Sequence, residues 1–284
     1  MKIELDCLPC LLNQILRASR MVTDDVETHE KILREANDII SKYDSYSYAP
    51  EVGRVLHFLV KKHTGIKDPY QKLKQKHLKM ALQYYPVLKR FLFDKEDRLY
   101  WVLKIAVVGN VFDAAINSEI KDGDDLMKEL AVEFKKCELE RFRKQLKNAR
   151  TMLIIGDNAG ETVFDRVLIE ELLNLEIVYA VRSGPVINDA TIEDAEQAGL
   201  GRQVKLISTG CDAPGVIRAG CNPEFLKVLD EADIVISKGQ GNFETLSEEK
   251  REIFFLLKAK CPVIAGRIDI DAGDYLFTTY RINN

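Results

Sequence analysis

Residues 152–172 read MLIIGDNAGETVFDRVLIEEL and give the clearest indication of the fold class. The apolar run Met152–Ile155 has the length of a buried strand, and the spacing of apolar residues over Glu161–Leu173 predicts a helix. A tight turn bounded by Gly156 and Gly160 lies between them. A strand, a glycine-flanked turn and a helix are typical of one unit of a parallel α/β sheet.

The same alternation of strand and helix continues toward the end of the sequence. Further strands are predicted at Ile177–Val181, Val204–Ile207, Ile234–Ile236, Val263–Ala265 and Leu276–Tyr280. The helices between them are predicted at Ile192–Ala198, Pro223–Leu229 and Leu246–Lys258. Apolar strands separated by helices require parallel crossovers, with helices on the faces of the sheet. Residues 149–284 are therefore expected to form a doubly wound, mostly parallel, three-layer α/β domain of the Rossmann-like type.

Upstream of this domain, apolar residues recur with the period of an α-helix. Stripes at that spacing run through Leu8–Leu16, Ile32–Ile40 and Val52–Leu59. Later helices are predicted to begin at Asp68-Pro69, to run from Asp97 to Asn117, and to lie between Asp124 and Lys147. Residues 1–148 are therefore predicted to form an all-helical domain that precedes the α/β domain.

The composition narrows the range of functions. The chain has 284 residues, of which 46% are hydrophobic, and a formal net charge of -4. Because binding to a phosphate backbone needs a basic surface, we expect no nucleic-acid partner. No apolar run reaches the roughly 18 residues of a membrane span, and Glu4 and Asp6 stand where a signal peptide would be apolar. The sequence therefore predicts a cytoplasmic protein with no membrane partner.

The ends of the predicted strands carry the residues best suited to chemistry. Ligands of an open parallel sheet bind beyond the carboxyl ends of its strands. Asp157 and Asn158 follow one strand, and Asp189 follows the next. Their oxygens are hard donors that suit Mg²⁺ or Mn²⁺, so the three residues are predicted to bind a divalent metal ion. In the alternative interpretation, Asp157 caps the following helix and Asn158 occupies a turn.

A second polar stretch, SKGQGN at residues 237–242, follows another predicted strand. Gly239 and Gly241 permit close approach of the backbone to a ligand, and Lys238 could place its ammonium group against a phosphate. The alternative is a loop with a solvated lysine. The phosphate-binding motif GxxxxGK[ST] is absent from the sequence, so this is not a P-loop.

A CxxC motif is formed by Cys7 and Cys10 on an apolar helical stripe. A structural zinc site usually needs four ligands, and the sequence has no second CxxC. We therefore expect two cysteines of the core, with a redox pair or a partial metal site as alternatives.

These motifs together resemble those of the damage-control phosphatases, a family formerly classed as domain of unknown function eighty-nine and linked to the acidic-residue methyltransferase name. The chain is most similar to the stand-alone prokaryotic branch. The resemblance covers nearly every region in order, through CLPC, PEVGRVLHF, TGIKDPY, AVVGNVFDAAI, GDNAGETVFDRVLIEEL, SGPVINDATIEDA, STGCDAPG and SKGQGNFETL.

The resemblance implies a metal-dependent phosphatase that acts on small phosphorylated metabolites with Mn²⁺, Mg²⁺, Co²⁺ or Ni²⁺. The metal ligands of the family fall on Asp157, Asn158 and Asp189, and its phosphate-contacting lysine falls on Lys238. Asn242 matches a position near the substrate. A further family signature falls on Asn110 and Asp113, which are expected to bring the helical domain to the rim of the site.

The leading hypothesis is hydrolysis of a phosphate monoester of a sugar or a nucleotide. A nearby carboxylate such as Glu161 would position the attacking water. One alternative is methyl transfer from S-adenosylmethionine to a carboxylate, although the GDNAGE turn lacks a GxGxG cofactor loop. Another alternative is a non-catalytic module that binds a metabolite.

Overall fold

A computed structural model describes residues 1–112 and 123–280 of the chain. Seven strands form one sheet: β1 Phe134–Cys137, β2 Thr151–Ile155, β3 Glu176–Val181, β4 Lys205–Ser208, β5 Ile234–Lys238, β6 Phe254–Lys258 and β7 Tyr275–Thr279. Their order across the sheet is β1-β7-β6-β5-β2-β3-β4. Neighbouring strands are parallel except for β6 and β7, which are antiparallel.

The helices of the described residues are α1 Cys7–Arg20, α2 Val26–Ile40, α3 Ala49–Thr64, α4 Gln71–Phe93, α5 Arg98–Val108, α6 Gly123–Ala131, α7 Leu139–Leu146, α8 Thr162–Glu170, α9 Ile192–Gln197, α10 Pro223–Glu231, α11 Gln240–Leu246 and α12 Pro262–Ile268. Among the residues described, no helix has the length and apolar character to cross a membrane.

The central strand β2 shows why the sheet is covered on both faces. Its side chains alternate in direction, so Met152 and Ile154 pack with α5 and α8 on one face. Leu153 and Ile155 pack on the other face, with apolar residues of α10, α11 and α12. The predicted three-layer, mostly parallel α/β arrangement with a helical N-terminal part is confirmed.

The N-terminal helices divide between two apolar cores. Helices α1, α2 and α3 pack on one another around Ile15, Ala36 and Val52. Helices α4 and α5 instead share the core of the sheet, where Leu88 and Ile105 are fully buried. Helix α5 thereby lies directly over the strands that lead to the candidate site. The division of the chain at residue 148 stays a prediction.

Strand β1 is absent from the sequence-based interpretation, which assigned Asp124–Lys147 to helices. Helices α6 and α7 do lie there, but Phe134–Cys137 pairs in parallel with β7 at the sheet edge. Only alternate residues of this short strand are partly buried, and Lys135 and Lys136 weaken its apolar pattern. The range predicted as all-helical, 1–148, therefore contributes one strand to the sheet.

Two predicted elements near the C-terminus are wrong. Val263–Ala265 was expected to be a strand but lies in α12, where Pro262 occupies the first turn and favours a helix. The helix predicted over Leu246–Lys258 is instead the end of α11 followed by strand β6. Short apolar runs such as these fit a buried helix as well as a buried strand, because four or five residues show no clear period.

Candidate active site

The turns after β2 and β3 are joined by backbone hydrogen bonds. The amide of Ala190 donates to the carbonyl of Asp157 at 2.7 Å, and the amide of Ala159 donates to the carbonyl of Asn188 at 2.9 Å. Asn158 and Asp189 form an isolated antiparallel bridge. The structure therefore brings together the three residues that the sequence places at neighbouring strand ends.

The two carboxylates of this group are buried and share a counter-ion. Asp157 is 6% exposed and Asp189 is 4% exposed. Nε of Arg182 donates to Oδ2 of Asp189 at 2.7 Å, and Nη2 of Arg182 lies 3.9 Å from Oδ1 of Asp157. Burial and the negative charges of Asp189 and Glu161 hold the pKa of Asp157 well above its usual range. Two carboxylates in such surroundings favour a bound cation.

The backbone at Gly239, in the SKGQGN stretch, requires a glycine. Its φ is +79°, a conformation that side chains with a Cβ rarely adopt. A Cβ at this position would also overlap the carboxylate of Asp157. The end of β5 therefore lies against the acidic group only because residue 239 has no side chain.

Lys238 lies beside this group in a second buried ion cluster. Its Nζ donates to Oε1 of Glu161, to Oδ1 of Asp165 at 2.6 Å and to the carbonyl of Ala106 at 3.1 Å. Burial alone would lower the pKa of Lys238, but the negative charges of Asp165 and Glu161 outweigh burial and raise it. Because an ammonium group has no further hydrogen to donate, the predicted contact between Lys238 and phosphate requires an exchange of partners.

Asp165 is a site residue that the sequence interpretation missed. It is fully buried on α8, and its Oδ2 accepts a hydrogen bond from Tyr179 at 2.7 Å. Burial, opposed by the charge of Lys238, raises the pKa of Asp165 to about 6. Its spacing of four residues from Glu161 puts both carboxylates on one face of a helix, and this pattern was a usable signal.

Glu161 connects the two clusters. Nδ2 of Asn158 donates to Oε2 of Glu161 at 3.1 Å and to Oδ2 of Asp157 at 3.0 Å. The other carboxylate oxygen of Glu161 receives Lys238. Asn158 and Lys238 together hold the side chain of Glu161 in place, and its role in orienting water stays a prediction.

Asn242 acts as a clamp between strand ends in this structure. Its Nδ2 donates to the carbonyls of Gly156 at 3.1 Å and Lys238 at 2.7 Å, and its Oδ1 accepts from the amide of Val216 at 3.1 Å. Both amide hydrogens are therefore engaged with the backbone. The structure supports a positioning role for Asn242, and the substrate contact stays a prediction.

Asn110 lies in a short 3-10 turn, Gly109–Phe112, that follows α5. It is 1% exposed, and neither Nδ2 nor Oδ1 has a hydrogen-bond partner in the part of the chain that the structure describes. A Cβ at Gly109 would lie 2.9 Å from Cγ of Glu161, so this turn contacts the site. The companion residue of the predicted signature, Asp113, lies outside the described residues.

The donor set fits a hard divalent cation. Asp157 and Asp189 offer carboxylate oxygens and Asn158 offers an amide oxygen, which are ligands that Mg²⁺ and Mn²⁺ accept. Within residues 1–112 and 123–280, no cluster of three or more His, Cys, Asp or Glu side chains suits a metal ion. A metal site here would therefore depend on the amide of Asn158 as its third ligand, and the ligand set stays a prediction.

The expectation of two core cysteines in the CxxC motif is wrong for Cys10, whereas Cys7 packs at the edge of the α1–α3 core. Cys7 is half-buried and Cys10 is exposed. Cys10 sits on the outer side of α1, where its thiol accepts a hydrogen bond from Gln14 at 3.8 Å. The apolar stripe of α1 instead buries Leu11 and Ile15, which lie at the true inner positions of the helix.

An open, mostly parallel sheet with buried acids and an arginine at its carboxyl edge is typical of an α/β enzyme that binds a small ligand there. Comparison with known proteins identifies the family. The model of the damage-control phosphatase ARMT1-like domain matches residues 3–276. The chain is 37% identical to a damage-control phosphatase of Pyrococcus horikoshii, over 96% of each chain. It is 31% identical to a damage-control phosphatase of Archaeoglobus fulgidus, over 96% of this chain and 98% of the relative.

A solved structure gives the same result. The crystal structure of a DUF89 family protein from Pyrococcus horikoshii superposes with a TM-score of 0.91 at 34% identity, covering 99% of this chain and 100% of that one. The chain belongs to the damage-control phosphatase ARMT1-like family. The predicted family and the predicted phosphatase function are thereby confirmed, and the methyltransferase and non-catalytic alternatives lose support.

Proposed function

We propose that the protein is a metal-dependent phosphatase that hydrolyses phosphate monoesters of small phosphorylated metabolites. The observation that carries this proposal is the meeting of Asp157, Asn158 and Asp189 at one point of the carboxyl edge, next to Arg182. Two buried carboxylates and an amide oxygen match a divalent cation, and a cation beside an arginine matches a phosphoryl group.

Asp157, Asn158 and Asp189 would hold Mn²⁺ or Mg²⁺, with Co²⁺ or Ni²⁺ as other candidates. A bound ion of this kind supplies Lewis-acid polarisation of a phosphoryl oxygen. The chain itself orients the reactants: Asn158 fixes the carboxylate of Glu161, which can accept a hydrogen bond from water. Lys238 neutralises Glu161 and Asp165, so that a dianionic phosphate meets less repulsion from the neighbouring acids.

The substrate class is proposed as phosphates of small metabolites, either sugar phosphates or nucleotides. The burial of the site residues favours a small substrate, and the net charge of -4 disfavours a nucleic-acid partner. A cytoplasmic location likewise stays a prediction of the sequence.

The test replaces one proposed ligand. Asp157→Ala should lower kcat on a panel of sugar phosphates and nucleotides with Mn²⁺ by about 100-fold or more, because the acidic site loses one of two carboxylates. Chelation of the wild-type protein should have the same effect. The matched control is Asp38→Ala, an exposed aspartate on α2, which should keep full activity. Undiminished turnover of Asp157→Ala would remove this site from the mechanism.

A further inference from the structure

Arg182 is a buried arginine at the carboxyl edge of the sheet, next to the proposed metal ligands. It follows β3, is 1% exposed and is among the largest fully buried side chains of the protein. Its Nε is bound to Asp189 at 2.7 Å. Its two terminal amino groups, Nη1 and Nη2, have no hydrogen-bond partner among the described residues. Buried donors without acceptors are rare in folded proteins and indicate a ligand or a functional role.

Charge balance alone does not account for this arrangement. The bond from Nε to Asp189 already pairs the guanidinium with a carboxylate, and Oδ1 of Asp157 lies 3.9 Å from Nη2, beyond a hydrogen bond. A lysine would supply the same charge at that place with fewer unsatisfied hydrogens. What a guanidinium adds is a planar pair of amino groups that matches two oxygens of one phosphate.

Lys238 cannot take this role in the geometry observed. Each of its hydrogens already faces an oxygen, of Glu161, Asp165 or Ala106. The side chain assigned to phosphate by family resemblance is thus fully engaged, whereas the charged donors without partners beside the proposed metal ligands belong to Arg182. Those donors lie beside both acids of the proposed metal site.

We propose that Arg182 is the phosphoryl-binding residue of this site. Its Nη1 and Nη2 atoms donate to two oxygens of the phosphoryl group of the substrate, and afterwards to the inorganic phosphate that is released. This inference rests on the proposed function and adds the residue that recognises the anionic end of the substrate. It predicts that phosphate affinity depends on the shape of the guanidinium as well as on its charge.

The test measures binding without turnover. Titration calorimetry with inorganic phosphate, in the presence of Mn²⁺, compares the wild-type protein with Arg182→Lys, which keeps the charge but loses the planar fork. We expect the phosphate Kd to rise at least about tenfold, and KM to rise with it. The Mn²⁺ Kd, measured alone, should change by less than about threefold.

The matched control is Arg218→Lys, an exposed arginine paired with Asp230, which should bind phosphate as the wild type does. If Arg182→Lys does not fold, Arg182→Gln provides the second variant, because its amide can still donate to Asp189. It is expected to weaken phosphate binding in the same way. Thermal unfolding and circular dichroism establish which variants are folded.

Two results would overturn the inference. One is an unchanged phosphate Kd in a folded Arg182 variant, and the other is a parallel loss of Mn²⁺ and phosphate binding, which would mean that Arg182 acts only through Asp189. These results differ from a failure of the proposed function. In that case Asp157→Ala would keep its turnover, whatever phosphate binding by the Arg182 variants shows.

Discussion

Lys238 and Arg182 are both buried cations at the carboxyl edge of the sheet, but their hydrogen bonding differs. The ammonium of Lys238 meets three oxygen atoms, two of them from carboxylates. The guanidinium of Arg182 donates only through Nε, and its terminal groups are unsatisfied within the described residues. A buried charge whose partners are complete can hold a structure together, whereas buried donors without partners need a separate explanation, such as a ligand.

The contrast extends to a third buried cation, Lys104 on α5. It is fully buried, and its Nζ has no hydrogen-bond partner in the described part of the chain. Its Nζ lies over the ring of Tyr275, 3.6 Å from the ring centre. Burial, opposed by the charge of Glu129, lowers the pKa of Lys104 to about 7. Unlike Arg182, Lys104 has no carboxylate within salt-bridge distance among residues 1–112 and 123–280, and loss of its proton would remove the cost of a buried charge.

The largest effect on stability is expected for Lys238→Met. The change leaves Glu161 and Asp165 buried without their cation, so the free energy of unfolding should fall by about 3–5 kcal/mol. Urea unfolding at pH 7 measures this loss. Adding Asp165→Asn to the same chain should recover part of it, because one of the stranded charges is removed. A loss below about 1 kcal/mol would contradict the structural role assigned to Lys238.

A smaller effect is expected for Glu170, an anion whose partners are also complete. It accepts hydrogen bonds from Tyr85 at 2.6 Å and from Lys89 and Gln203 at 2.7 Å. Burial alone would raise its pKa, but the hydrogen bonds from Lys89, Tyr85 and Gln203 outweigh burial and lower the pKa to about 2. Glu170→Gln should therefore lower the free energy of unfolding at pH 7 by about 1–3 kcal/mol.

The pH dependence of the free energy of unfolding provides a control for the Glu170→Gln prediction. The pKa of Glu170 is lower in the folded than in the unfolded chain, so its stabilisation is present above about pH 4.5 and is lost as the pH falls toward 2. The difference between wild type and Glu170→Gln should shrink over that range. The exposed Glu140→Gln should change stability by less than about 0.5 kcal/mol, and an equal effect of both changes would refute the prediction.

The sequence located the candidate site because strand ends can be identified from local patterns. The strand Met152–Ile155 put Asp157 and Asn158 at one strand end and the next strand put Asp189 at the neighbouring end, and the structure brings the three residues together. The spacing of Asp165 from Glu161 could have pointed to Asp165 as a site residue, but the hydrogen-bond partners of Arg182 and Asp165 could not be predicted from strand ends. Their meaning depends on partners brought close only by the fold, and no local pattern separates a satisfied buried charge from an unsatisfied one.

The strands were predicted well at the centre of the sheet and poorly at its edge. The central strands β2, β3 and β5 contain continuous apolar runs, which are typical of a sheet covered on both faces. Strand β1 has four residues with two lysines, and its pairing with β7 is set by tertiary contacts. Its position at the edge of the sheet also relaxes the demand for an apolar sequence.

The smallest change in the free energy of unfolding is expected for Lys104→Met. This variant removes a buried cation whose ammonium has no hydrogen-bond partner among the described residues. Because the pKa of Lys104 is lowered to about 7, the unfolded chain binds more protons than the folded one between about pH 7 and 10.5. The stability of the wild type should therefore rise over that window, and Lys104→Met should remove this rise.

At pH 7 the variant should differ from the wild type by less than about 1 kcal/mol or be more stable. Unfolding by urea at pH 7 and pH 9 measures both quantities. A loss at pH 7 as large as that of Lys238→Met would show that contact with the Tyr275 ring stabilises a buried ammonium as well as carboxylates do.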